Sequence, residues 1–150
     1  MTHPELKEAI KDAMRAKDAT RLAVLRGISA AATNEAVAKG KGPDGQLTDD
    51  ELMTVIIRAG KQRKDSIEQF EKGGRPELAE TEKAELSIIE TLLPKQMSRE
   101  EVEAAVKTKA AEMGVTDRTG ANKLMGMLMK DLKGKADGTI VKEIVDQLFQ

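Results

Sequence analysis

Apolar residues recur at three- and four-residue spacing along most of the chain, in blocks punctuated by glycine, proline and capping residues. The spacing predicts a first helix from Pro4 through Leu6, Ile10, Ala13 and Met14 to about Lys17, then a second from about Ala19 to near Lys39. Gly40-Lys-Gly-Pro-Asp-Gly45 breaks the pattern and is expected to be a mobile loop. Thr48-Asp-Asp-Glu51 has capping-box spacing, so a third helix starts there and runs to about Lys72, where Gly73-Gly74 ends it. Pro76 suits the first turn of a fourth helix, which Pro94 terminates. Ser98-Arg-Glu-Glu101 is a second capping box and opens a fifth helix that stops near Gly114. Two short helices follow, one carrying Leu124, Leu128 and Leu132, the other Ile140, Val141, Ile144, Val145 and Leu148; Gly134 suits the stop of the first and Asp137 the cap of the second.

Nothing in the chain alternates in the manner of strands, so the expected fold is all-α. Short connections favour antiparallel neighbours, which gives an N-terminal helical hairpin assembly of about four helices over residues 1–94 and a small C-terminal three-helix bundle over 98–150. The core must be aliphatic and methionine-filled, since Phe70 and Phe149 are the only large rings. Of Met113, Met125, Met127 and Met129, most are assigned to core filling. Met127 points away from Leu124 and Leu128 and is the candidate for exposure.

Some charges fall on faces where apolar residues belong. Arg63 lies inside the stripe formed by Leu52, Val55, Ile56, Ala59, Ile67 and Phe70, and Glu82 and Glu85 project to the same side as Leu78, Ile89 and Leu92. A sheltered guanidinium needs an acidic partner, so a structural pair of Arg63 with Glu82 or Glu85 is expected to pin the two helices in register. The competing reading opens Arg63 to a phosphate, or the carboxylates to a metal. Arg58, Lys61 and Lys64 lie on the exposed flank, and with Arg21 and Arg26 they form a secondary set of basic candidates. Arg21 and Arg26 could equally tie the first hairpin to the acidic fourth helix.

Charge and composition narrow the classes. The formal net charge of −1 excludes a globally basic, histone-like mode of nucleic-acid binding, and no DNA partner is expected. Local asymmetry survives that average. Residues 118–142 carry six basic side chains against two acidic, and residues 77–103 carry eight acidic against three basic. Lys123 and Lys130 share a helix face, Lys133 and Lys135 flank Gly134, and Lys142 lies one turn into the last helix. With the N–H groups at Gly138 and Thr139 they make a corner suited to phosphate. Lysines near a helix C-terminus also stabilise its dipole, which gives Lys130 and Lys133 a structural role without any ligand.

Absence of cysteine excludes disulfides and thiolate metal sites within the chain, and fits a reducing cytoplasm, the expected location. The N-terminal residues lack the apolar run of a signal peptide, no later run approaches the ~20 residues that span a bilayer, and no membrane partner is expected. Candidate chemistry is sparse. His3, the one histidine, is placed near a frayed terminus. No nucleophile elbow, phosphate-binding glycine loop or paired-histidine zinc motif occurs, and the carboxylates lie among lysines. No catalytic residue, metal or cofactor is assigned.

The tract Asn122-Lys-Leu-Met-Gly-Met-Leu-Met-Lys-Asp-Leu-Lys-Gly-Lys-Ala-Asp-Gly-Thr-Ile-Val-Lys-Glu-Ile-Val145 resembles the GatB/YqeY domain, the tail of the GatB subunit of glutamine-dependent tRNA amidotransferase. Met14-Arg-Ala-Lys-Asp18, Arg21-Leu22, Leu25-Arg26, Lys61-Gln-Arg-Lys-Asp-Ser-Ile-Glu68, Gly74-Arg75 and Leu92-Leu-Pro-Lys-Gln96 extend the resemblance over nearly the whole chain, toward the stand-alone YqeY-like form. The resemblance implies a tRNA-binding accessory protein that meets RNA by shape and phosphate, beside a tRNA-dependent amidotransferase or aminoacyl-tRNA synthetase. The alternative is a protein-interaction adaptor docking on such a complex. A third reading is an amidase-like enzyme that needs a partner's active site. In GatB the chemistry belongs to a separate domain, so a carbon–nitrogen ligase label with glutamine as amido-N-donor describes the complex rather than this chain. One departure from the family pattern is Asn122, where a glycine is usual.

Overall fold

Side-chain caps decide where the helices of this chain begin. In the computed structural model, which describes residues 1–42 and 44–150, Thr2, Thr48 and Ser98 each accept from the N–H three residues on, while Glu5, Glu51 and Glu101 reach back to the capping residue's own N–H. The helices are α1 (His3–Arg15), α2 (Ala19–Ala38), α3 (Asp49–Lys72), α4 (Pro76–Thr91), α5 (Arg99–Met113), α6 (Ala121–Asp131) and α7 (Gly138–Leu148), with a 3-10 turn at Arg118–Gly120 before α6. No strand occurs among the described residues, and the fold is all-α. No helix among them is long and apolar enough to cross a membrane. The expected mobile loop at 40–45 includes Pro43, which lies outside the described residues.

The chain divides into two compact units, Met1–Leu93 and Pro94–Gln150. In the first, α3 and α4 form a long antiparallel hairpin, α1 packs on α2, and α2 packs on both α3 and α4. Leu25, Leu52, Ile56 and Ile89 are fully buried at the centre. The inward stripe of α3 is closed over its first half and open over its second, where Ile67 and Phe70 are only half-buried. Met14, expected inward, is instead 52% exposed, and its sulfur lies 3.9 Å from an Arg26 guanidinium nitrogen. The end of α1 has no glycine. Lys17 takes the left-handed conformation itself, at φ 56°, a backbone state that costs an ordinary residue ~1 kcal/mol.

The start of α3 is tied back to the end of α2. Glu51 accepts from Lys41 Nζ at 2.6 Å and from Lys39 Nζ at 3.0 Å while closing its capping box. The Lys41 hydrogen bond, the Thr48 N–H and Lys39 together hold the Glu51 carboxyl far below the usual carboxylate range, at about 2. A depressed folded-state value means that its stabilising contribution is present above the unfolded-state value and lost as pH falls from about 4.5 through about 2. Glu51→Gln is therefore expected to lower the melting temperature at neutral pH and to flatten the acid limb of the stability curve in that window. Parallel melting curves of both proteins across pH check it, and identical acid limbs would contradict it.

The second unit holds α5, α6 and α7 around Val102, Val106, Leu124, Leu128, Val141 and Val145. Helix α7 lies against both of the others. Met113 and Met125 are half-buried against this core, Met127 is 38% exposed as expected, and Met129, not singled out for exposure, is 43% exposed. Leu148 is corrected as well. The last residue of its helix, it is 39% exposed although Val145, three residues earlier, is buried.

Candidate nucleic-acid interface

The corner between α6 and α7 is a tight turn with a buried hinge. Helix α6 closes at Leu132, whose carbonyl accepts from the N–H groups of Lys135 at 2.9 Å and Ala136 at 3.1 Å. Between them Gly134 is buried and takes φ +75°, where a side chain would be strained. Lys133 and Lys135 flank it, both exposed. Lys123 and Lys130 are exposed on α6, and Lys142 is exposed on α7.

A second segment is laced to this turn. The Gln96 side-chain amide donates to the Gly134 carbonyl at 2.7 Å and to the Pro94 carbonyl at 2.8 Å, and the Met97 N–H donates to the Lys135 carbonyl at 2.8 Å. Residues 94–97, read from sequence as a joint, thus belong structurally with the second unit. Sequence reasoning passed over Lys95 and Gln96 as candidates. The one signal available was a polar pair directly after Pro94 that serves no helix.

Two acidic neighbours of the corner pair with α5, and a third caps α7. Asp131 faces Lys109 of α5 at 3.0 Å, and this pairing raises the Lys109 pKa. Glu143 faces Arg99 of α5 at 3.1 Å. Asp137 caps α7 by accepting from the Thr139 N–H at 2.9 Å. That bond corrects the expectation of free donors at the helix start: the Thr139 N–H is taken by the cap, whose carboxylate also opposes an anion there. Gly138 has Met129 against it, since a Cβ at this position would lie 2.8 Å from the Met129 methyl. At this corner the lysines, rather than the Thr139 N–H, are the groups placed to meet an anion.

In the first unit the sheltered charges meet across the α3–α4 hairpin. Arg63 Nε lies 2.8 Å from Glu85 Oε2 and 3.5 Å from Glu82 Oε2. Its N–H is aimed squarely at neither, so the contact is one of charge with charge rather than an aligned hydrogen bond. Two carboxylates share one guanidinium. Arg63→Met is expected to leave them facing each other and to cost about 1–2 kcal/mol, part of which Glu85→Gln in the same chain should restore. Denaturant unfolding of the single and double variants checks this; equal stability of Arg63→Met and the parent would contradict it.

The secondary basic residues sit in different settings. Arg58 pairs with Glu35 of α2 at 3.1 Å, Arg21 reaches the Thr91 hydroxyl at 3.5 Å, and Arg26 lies against the Met14 sulfur. Lys61 and Lys64 are exposed on α3. Beside Arg58 an open groove of about 370 Å³ runs between α2 and α3, lined by Ala31, Asn34, Ala59 and Gln62 among others, and it holds no nucleophile with a base beside it. His3 is not at a frayed end. It sits in the first turn of the capped helix α1 with Nε2 buried. Among the described residues no three histidine or carboxylate side chains converge in a way that could hold a metal ion.

The family model described as Yqey-like protein matches residues 3–149. The chain belongs to the YqeY-like family. The match runs through both units rather than through the C-terminal bundle alone. Curated relatives are fungal proteins named "Altered inheritance of mitochondria protein 41, mitochondrial". That of Kluyveromyces lactis is 39% identical over 104 residues, covering 67% of this chain and 54% of its own length. That of Pyrenophora tritici-repentis is 30% identical over 134 residues, covering 89% and 72%, and that of Lachancea thermotolerans 36% over 111, covering 72% and 57%. Against the two yeast relatives, the YqeY-like chain thus spans a little over half of their length.

These names correct the cytoplasmic expectation, because the relatives are named as mitochondrial proteins. The observations behind that expectation do not separate the two compartments. Mitochondrial leaders are amphipathic and arginine-rich rather than apolar, so the lack of an apolar run does not bear on them, and a cysteine-free chain is compatible with either place.

Proposed function

We propose that this YqeY-like protein binds tRNA through the lysine corner of its second unit, by phosphate contact and shape, and presents it to a tRNA-dependent amidotransferase or aminoacyl-tRNA synthetase. The observation that carries the reading is the held turn, Lys133-Gly134-Lys135. Its hinge is buried, its carbonyls are bonded to Gln96 and Met97, and the acidic residues beside it on α6 and α7 are engaged by α5. Rigid placement of cations lowers the entropy lost on binding phosphate. The chain has no tyrosine or tryptophan, and both phenylalanines are half-buried, so stacking platforms for unpaired bases are lacking. A carbon–nitrogen ligase label then describes the partner's chemistry and not a centre in this chain.

Preference for folded RNA tests this reading. Unfractionated tRNA should bind several-fold tighter than a single-stranded RNA of equal length at the same salt. Equal affinity for the two, or none for either, would count against it. A second reading, an adaptor that docks on the enzyme, is favoured by the partial exposure of Met127 and Met129. It predicts protein association that survives high salt.

A further inference from the structure

Residues 94–97 enter no helix, yet their polar groups are spent on the corner. Gln96 spans the Pro94 and Gly134 carbonyls with one amide, and Met97 holds the next carbonyl, that of Lys135. Two consecutive carbonyls of the turn therefore accept from donors of this segment, and neither is left as an unmatched partial negative charge beside the lysines. Lys95 directly precedes the two anchored residues and is exposed. The pairing brings a cation from 38 residues earlier in the chain to the turn that carries Lys133 and Lys135.

We propose that the Pro94–Met97 segment is part of the phosphate-binding surface, with Lys95 as a further contact residue and Gln96 as the positioning residue that fixes the spacing of Lys95, Lys133 and Lys135. The inference rests on the phosphate reading of the corner. It also gives that surface a definite beginning, at Pro94. A basic side chain touching phosphate contributes to the salt dependence of binding, whereas a residue that only holds others in place alters affinity without changing the number of contacts.

The experiment uses the full chain and unfractionated tRNA, with affinity measured across salt for the parent, Lys95→Ala, Gln96→Met and the Lys133→Ala/Lys135→Ala double variant. Lys95→Ala should weaken binding about threefold and make the slope of log affinity against log salt shallower by about 0.8. Gln96→Met keeps the volume and removes both donors. At a temperature well below its melting point it should bind about three- to tenfold more weakly with the parent's slope. A merely structural glutamine would lower the melting temperature and leave the affinity of the folded protein alone. Should Gln96→Met not fold, Lys95→Ala, an exposed change, decides alone. Parent-like binding by Lys95→Ala and Gln96→Met beside a weakened double-lysine variant would overturn the inference and leave the corner reading standing. Parent-like binding by the double-lysine variant would remove both.

Discussion

Replacing both Lys133 and Lys135 by alanine is expected to weaken tRNA binding roughly tenfold, the largest effect of any surface change in the chain. Both side chains are exposed on either side of Gly134, so alanine leaves the buried hinge and its left-handed backbone untouched. Exposed ion pairs contribute at most ~1 kcal/mol each, and two of them give about a factor of ten or somewhat more. Two fewer phosphate contacts should also make the salt slope shallower by about 1.5. Melting should change little, since surface substitutions of this kind lie within about 0.5 kcal/mol. Affinity and slope unchanged from the parent would remove the corner as the site without touching the fold.

Leu124→Ala is expected to have the largest effect on stability. Leu124 is fully buried in the centre of the second unit, among Val102, Val106, Leu128, Val141 and Val145. Truncating such a leucine removes its transfer free energy and leaves a cavity, costing about 3 kcal/mol within a range of 2–5. Much of the surrounding core is valine, which keeps a single preferred rotamer in a helix, and Phe149, the one ring in this unit, is only half-buried. A bundle of this size lies near the lower limit of independent stability, so the loss should leave α5–α7 largely unfolded at 37 °C. Hydrogen exchange of the full chain checks this through loss of protection across Arg99–Leu148. Met127→Ala, three residues on and exposed, should move stability by under about 0.5 kcal/mol.

The helices were legible because their ends carry chemistry. Thr48 with Glu51 and Ser98 with Glu101 announce a helix start whatever the surroundings. The box at Thr2 and Glu5 went unread because only one residue precedes it, and with it went the ordered setting of His3. The end of α1 shows the opposite limit. A left-handed lysine at position 17 has no sequence signature, since glycine is the residue expected in that conformation. Periodicity places Met14 and Leu148 on inward faces, yet both stay exposed while Ala13 and Val145 in the same turns are buried, because a stripe gives direction and not depth of cover.

The candidate site was partly legible for similar reasons. Arg63 stood out as a charge in an apolar stripe, and the structure sets Glu85 and Glu82 opposite it. The lysines of the corner stood out by count and by the glycine between two of them. The role of Gln96 was hidden, because its partners are backbone carbonyls, one of them 38 residues away, and every residue carries a carbonyl. At the start of α7, Asp137 as cap consumes the Thr139 N–H, one of the donors that a helix start would otherwise offer an anion.

The salt dependence of tRNA binding by the unmodified full chain tests the central claim most directly. Five or six lysine–phosphate contacts at the corner predict saturable binding whose log affinity falls with log salt at a slope of about −3.5 to −5.5, so that most affinity is gone between 50 and 200 mM salt. Absence of saturable binding at low salt, or an affinity that holds flat across that range, would contradict the account.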